Sequence, residues 1–129
     1  MIKKITTFLI IITILVGFYL LTSKKPASIT STETPTADYI LFYGNTCPHC
    51  KIVEEFISNN QIDQKIKINQ LEVYNNKSNS SLFTNMVKKI CPDQLKTEGL
   101  PVPFLVDQKD KKCTIGDAPI TEYLTEKSK

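Results

Sequence analysis

Residues 39–50, YILFYGNTCPHC, decide the fold that this sequence predicts. Tyr39–Tyr43 is a short, continuous apolar run that a glycine ends, which is typical of a strand buried on both faces. Pro48 suits the first turn of a helix, where its missing N–H costs no hydrogen bond. Cys47 and Cys50 flank that helix start, so the stretch predicts a cysteine pair at a strand-to-helix junction.

The apolar pattern beyond this junction alternates between helices and strands. The further predicted elements are a helix over 48–58, a strand over 65–73 with a possible bulge after Asn69, a polar loop at 75–80, a helix over 82–90, strands at 104–106 and 113–115, and a last helix that Asp117 caps. The order β-α-β-α-β-β-α predicts an α/β fold with a four-stranded mixed sheet and helices on both faces. Cys47 would lie at the carboxyl edge of the first strand, where open α/β sheets carry their sites.

The amino-terminal part of the chain predicts a membrane anchor. The run from Ile5 to Leu21 has no charged residue. As a helix at ~1.5 Å per residue it is about 26 Å long, close to the ~30 Å hydrocarbon core of a bilayer. A cleaved signal peptide is the alternative, although its apolar region is usually shorter and ends at small residues. We expect residues 1–23 to form a single-pass anchor, with the remainder extracytoplasmic because the chain begins with a short basic tail.

The remaining residues divide into a tether and one domain. Residues 24–37 are rich in Ser, Thr and Pro and predict a flexible linker, and 38–129 predict one small domain, expected to be a monomer. The formal net charge of +3 comes from lysines spread along the chain. Since these form no basic stripe with interleaved aromatic residues, we expect no nucleic-acid partner.

The cysteine pair predicts thiol–disulfide chemistry. At a helix N-terminus, free N–H groups and the helix dipole favour a thiolate at Cys47, and His49 would add positive charge, with Pro48 setting the helix start. Cys50 follows one turn later, within disulfide reach. Cys47 is therefore the predicted nucleophile and Cys50 the resolving thiol, acting on protein thiols and disulfides without a cofactor.

Two other interpretations of the pair stay open. A zinc site needs four ligands, usually two such pairs, and the sequence contains one C-x-x-C, so no metal is expected. An inert disulfide between Cys47 and Cys50 would close almost no loop and stabilise little. A binding module without enzymatic activity, or one that carries metal, remains the alternative function.

The other two cysteines end a predicted helix and lie on the predicted edge strand. Cys91 and Cys113 predict a structural disulfide, which would fit an oxidising compartment. Two free thiols and a second redox relay are the alternatives. Tyr43 and Tyr74 are interpreted as half-buried packing residues, with a position beside the cysteine pair as the alternative.

The stretch from Leu41 to Cys50 resembles the active-site entry of glutaredoxins, within the thioredoxin superfamily. Val102–Pro103, followed by a strand, resembles the family's cis-proline loop, which docks substrate backbone; Pro101 is the alternative cis-proline. The turn Ile115-Gly116-Asp117 is also similar to glutaredoxins, and the dipeptide Pro48-His49 is the one typical of bacterial periplasmic disulfide oxidases.

The resemblance implies a thioredoxin-like fold and thiol–disulfide oxidoreductase activity, with a membrane redox partner that recharges the pair. The sequence departs from the family's pattern at three positions. Leu41 stands where thioredoxins and the periplasmic oxidases carry an acidic residue, and Thr46 where thioredoxins carry Trp. His49 replaces the tyrosine that glutaredoxins place between their cysteines, so the resemblance does not carry glutathione binding to this chain.

Overall fold

The computed structural model describes residues 36–95 and 99–129. The predicted anchor at 1–23 and all but two residues of the predicted linker lie outside the described residues. No helix within the described ranges has both the length and the apolar character needed to cross a membrane.

The described domain is built on a four-stranded mixed sheet. The strands are β1 Tyr39–Tyr43, β2 Ile68–Glu72, β3 Phe104–Asp107 and β4 Lys112–Ile115, and the helices are α1 Pro48–Asn59, α2 Ile62–Lys65, α3 Lys77–Ile90 and α4 Asp117–Lys127, with a short 3-10 helix at Pro92–Gln94. The strand order is β2-β1-β3-β4, with β2 parallel to β1 and the two β3 pairings antiparallel. This arrangement confirms the expected thioredoxin-like α/β fold.

Helices cover both faces of the sheet because alternate residues of β1 point in opposite directions. Tyr39 and Leu41 pack in one apolar cluster with residues of α1 and α4. Ile40 and Phe42 pack in the other cluster with residues of α3. The two central strands, β1 and β3, are thus buried on both sides, as the continuous apolar run of β1 predicts.

The predicted second strand is displaced, and it has no bulge. Its predicted first residue, Lys65, ends the short helix α2, which begins after Gln61 in a left-handed conformation at φ 52°. The β1–β2 register is continuous from Ile68 to Glu72. Ile66 and Ile68 pack on the α1 side and Leu71 and Val73 on the α3 side, so the apparent slip in the pattern is a change of face.

The starts of α3 and α4 also differ from the predictions. The predicted loop at 75–80 is helical from Lys77 onward, and the Asn76 side chain caps α3 by accepting the Asn79 N–H at 3.1 Å. A polar first turn facing solvent has no apolar periodicity, so it resembles a loop in sequence. In α4 the cap position belongs to Gly116, at φ 90°, and Asp117 is the first helical residue. The prediction that Asp117 caps this helix is therefore wrong.

Candidate redox-active site

Cys47 lies at the N-cap of α1, directly after the loop that follows β1. Its sulfur accepts the Cys50 backbone N–H at 3.2 Å, one of the free N–H groups at the start of the helix. The same sulfur lies 3.7 Å from the Val102 carbonyl oxygen, to which the thiol can donate. With 7% of its surface exposed, Cys47 is the accessible member of the pair.

Cys50 is placed in a different environment on the buried face of α1. It is fully buried, and its sulfur accepts the Gly44 N–H at 3.5 Å. Burial, reinforced by the hydrogen bond with Cys47, raises the pKa of the Cys50 thiol to about 12. Both cysteines are free thiols in this structure, so it shows the reduced form of the pair, in which Cys50 keeps its proton at neutral pH.

The loop before β3 closes one side of the site. The Val102–Pro103 peptide bond is cis, and no cis bond is present at Pro101. The Pro103 carbonyl accepts the Gly116 N–H at 3.0 Å, while the preceding Val102 carbonyl faces the Cys47 sulfur. The structure therefore brings together both predicted parts of the site, the cysteine pair and the proline loop.

Tyr74 lies against the loop that carries the cysteines. A Cβ atom added to Gly44 would lie 2.2 Å from the Tyr74 ring, so only glycine allows this close approach. Tyr74 itself is 55% exposed, so the prediction that it is half-buried is wrong, and the alternative, that it lies beside the cysteine pair, describes its position. Loss of hydration, followed by the charges of Cys47 and Cys50, raises the pKa of Tyr74. The ring is thus an exposed aromatic surface beside the pair.

Glu72, at the end of β2, ties two loops of the site together. Its carboxylate accepts the backbone N–H of Tyr74 at 2.7 Å and also the N–H groups of Asn75 and Asn76. Desolvation raises the pKa of Glu72, but these N–H groups and that of Asn45, in the cysteine loop, outweigh it and lower the pKa. Sequence reasoning missed this role because nothing local marks a glutamate as the acceptor for two separate loops.

The lowered pKa of Glu72 predicts a pH-dependent stability. A carboxylate whose pKa is lower in the folded protein stabilises the fold above its unfolded value, about 4.3, and loses that contribution as the pH falls through the folded value. Glu72→Gln should therefore lower the urea midpoint of unfolding at pH ~7, with the difference shrinking towards pH ~3. Glu55→Gln, at an exposed position of α1, is the matched control. A difference for Glu72→Gln that does not change with pH would contradict the prediction.

The His49 side chain contacts a residue that is distant in sequence. Its Nδ1 atom lies 3.2 Å from Oδ2 of Asp117, the first residue of α4. The hydrogen bond from His49 lowers the pKa of Asp117, with burial opposing it and the N–H groups of Ala118 and Asp117 adding to it. The sequence suggests a cap at Asp117, whereas in the structure this side chain contacts His49, one of the two residues between Cys47 and Cys50.

The second pair of cysteines forms a disulfide away from the redox pair. Cys91, at the C-cap of α3, is bonded to Cys113 on β4, with a Cα–Cα distance of 6.3 Å and a sequence separation of 22. Both residues pack against the apolar cluster on the α3 side of the sheet. The loop that this disulfide closes contains Val102 and Pro103, so it bounds the segment that faces Cys47.

In the ranges 36–95 and 99–129, no group of three or more His, Cys, Asp or Glu side chains is arranged to hold a metal ion. His49 contacts Asp117, and Cys91 is bonded to Cys113. Neither the His49–Asp117 pair nor the Cys91–Cys113 disulfide therefore supplies further metal ligands beside Cys47 and Cys50.

Comparisons with known proteins add one structural match. No protein-family model and no curated protein matches this chain. Among solved structures, the chain is similar to the crystal structure of the glutaredoxin grx-1 from Archaeoglobus fulgidus, with 20% sequence identity and a TM-score of 0.48. The match covers 71% of this chain and 86% of that chain. At this level it carries no conclusion about function, and the fold assignment stands on the strand order and directions.

Proposed function

We propose that this protein is a thiol–disulfide oxidoreductase in which Cys47 is the nucleophile and Cys50 the resolving thiol. The observation that carries the proposal is the contrast between the two sulfurs. Cys47 accepts an N–H at the start of a helix and keeps 7% of its surface exposed, whereas Cys50 is fully buried, with its pKa raised to about 12. Such a pair has one sulfur for attack and one for resolution.

The exchange needs only the two cysteines and a substrate disulfide. The Cys47 thiolate attacks one substrate sulfur, a mixed disulfide forms, and the other substrate sulfur leaves as a thiol after protonation. Cys50 then gives up its proton and attacks the Cys47 sulfur, forming the Cys47–Cys50 disulfide and releasing the second substrate thiol. Two electrons pass from the protein to the substrate, and the reverse sequence oxidises a substrate dithiol.

The Val102–Pro103 loop is the proposed docking site for the substrate backbone. The Val102 carbonyl oxygen lies 3.7 Å from the Cys47 sulfur, which a substrate sulfur must approach. Tyr74 offers an exposed ring on the same site. Protein thiols and disulfides are therefore the proposed substrates.

The proposed location is the extracytoplasmic side of a membrane, with residues 1–23 as the anchor. The uncharged apolar run from Ile5 to Leu21 supports an anchor, and the disulfide between Cys91 and Cys113 suits an oxidising compartment. A membrane redox protein that recharges the Cys47–Cys50 pair completes the proposal.

The test is to trap the mixed disulfide. Cys50→Ser should attack a disulfide-containing peptide at Cys47 and accumulate the covalent adduct, because no thiol remains to resolve it. Mass spectrometry of the full-length chain would detect one peptide per protein, released by a reducing agent. Cys47→Ser/Cys50→Ser is the matched control and should form no adduct. Capture of the peptide by this double variant as well as by Cys50→Ser would support the non-enzymatic binding module instead.

A further inference from the structure

The contact between His49 and Asp117 has a chemical consequence for the redox site. His49 is the second residue of α1, between the two cysteines, and its side chain is 68% exposed. Asp117 is 27% exposed and holds the ring at Nδ1. Because the two residues are 68 positions apart, this contact is a product of the fold rather than of local sequence.

The Asp117 carboxylate determines which nitrogen of the His49 ring carries the proton. The pKa of Asp117 is lowered, so its side chain is a carboxylate at neutral pH, and a carboxylate only accepts hydrogen bonds. The nitrogen that faces it, Nδ1, must then be the donor. The other nitrogen, Nε2, is left to take up or release the second proton of the ring.

We infer that Asp117 is a positioning residue that fixes His49 in the Nδ1–H form, so that Nε2 exchanges protons with the substrate sulfur during disulfide exchange. The inference rests on the proposed function and adds to it the group that handles the substrate's proton. In the attack step, Nε2–H of the imidazolium protonates the departing substrate thiolate while Nδ1 keeps its proton. In the resolving step the second departing thiolate takes up the proton that Cys50 releases, and the neutral ring regains its own proton from solvent.

Two features hold Asp117 in place for this task. Gly116 donates its N–H to the Pro103 carbonyl at 3.0 Å, which ties the start of α4 to the loop beside Cys47. β3 and β4 pair up to Phe104 and Ile115, so the sheet fixes the residues on either side of that hydrogen bond. The carboxylate therefore belongs to the same rigid frame as the Val102 carbonyl.

The other charged side chains near the pair have different partners. Lys51 donates to Glu54 at 2.7 Å on α1, and Glu72 accepts backbone N–H groups. Leu41, on the strand below the pair, is fully buried in an apolar cluster and offers no proton acceptor. These contacts leave His49, which lies between the two cysteines on the first turn of α1, as the proposed proton donor; the exposed phenol of Tyr74 keeps its proton at neutral pH because its pKa is raised.

The first test reads the proton on the ring directly. His49 is the single histidine of the chain, so ring-nitrogen NMR of the full-length protein reports on this residue alone. In the wild type at alkaline pH, the neutral ring should carry its proton on Nδ1. In Asp117→Asn the amide can accept or donate, so the proton should be shared between both nitrogens. Asp63→Asn, an exposed carboxylate on α2, is the matched charge control and should leave the ring unchanged. An unchanged ring in Asp117→Asn would overturn the inference.

The second test compares two leaving groups in the reducing direction. Hydroxyethyl disulfide releases a basic alkyl thiolate that benefits from protonation, whereas dithiobis(nitrobenzoate) releases a stable aromatic thiolate that does not. With the alkyl disulfide, His49→Gln should react about tenfold more slowly and Asp117→Asn about threefold more slowly. With the aromatic disulfide, both should stay within about twofold of the wild type. The double variant should be no slower than His49→Gln alone, because Asp117 acts through His49.

The outcomes separate the inference from the function on which it rests. Equal slowing of both disulfides in Asp117→Asn would indicate a merely structural role and overturn the inference, as would no slowing of the alkyl reaction. In both cases, exchange that still requires Cys47 would leave the proposed oxidoreductase function standing. Exchange that persists without Cys47 would instead overturn the function itself.

Discussion

Serine in place of Cys47 should reduce thiol–disulfide exchange to the uncatalysed background. A hydroxyl is a far weaker nucleophile than a thiolate at neutral pH, so no mixed disulfide can form at this position. Cys50 cannot take over, because it is fully buried and its pKa is raised to about 12. The measurement is the rate of reduction of a peptide disulfide by the reduced full-length chain under single-turnover conditions.

A matched control comes from the other cysteine pair. Cys91→Ala/Cys113→Ala removes two sulfur atoms from the chain but leaves the Cys47–Cys50 pair intact, so it should retain exchange. Retention of the wild-type rate in Cys47→Ser would refute the assigned nucleophile and, with it, the proposed function.

Loss of the Cys91–Cys113 disulfide should lower the stability of the folded domain more than the Glu72→Gln substitution does. In the chain-entropy model, closing a loop of 22 residues restricts the unfolded chain enough to contribute ~3 kcal/mol. Cys91→Ala/Cys113→Ala should therefore lower the free energy of unfolding by about that amount. Denaturant titration of the variant and of the wild type, both with the Cys47–Cys50 pair reduced, measures the difference.

The comparison needs a control for the two lost side chains. The wild type with all four cysteines reduced keeps the sulfur atoms and loses only the crosslink, so it should match the double alanine variant to within ~1 kcal/mol. If the disulfide-bonded wild type were no more stable than either reference, the disulfide would not restrict the unfolded chain in the way the model requires.

Much of the fold could be predicted from the sequence because its central elements have strong local patterns. β1 is a continuous apolar run, and the structure gives it the predicted bounds. The helix after Cys47 begins at Pro48, where proline is well suited to a first turn. The displaced second strand shows the limit of pattern reasoning, since an edge strand that packs on both faces resembles an alternating strand with a bulge.

Part of the candidate site could also be predicted from the sequence, and part of it could not. The cysteine pair and the Val102–Pro103 loop are marked by short motifs, and the structure brings them together. The contacts of Glu72 and Asp117 join segments that are distant in sequence, so they arise only when the sheet aligns those segments. Asp117 illustrates the difficulty, because an aspartate before a helix favours a cap whatever the fold does with it.

Tyr74 packs against Gly44 beside the cysteine pair, so its ultraviolet absorbance should depend on the redox state of that pair. The chain contains no tryptophan, so tyrosine dominates its near-ultraviolet absorbance. Loss of hydration and the charges of Cys47 and Cys50 raise the pKa of Tyr74, and closing the active-site disulfide removes only the second cause. The phenol should then ionise at a lower pH in the oxidised protein. The difference in alkaline tyrosine absorbance between the reduced and the oxidised protein, to which Tyr74 contributes as one of five tyrosines, thereby reports whether the neighbouring sulfur atoms are bonded to each other.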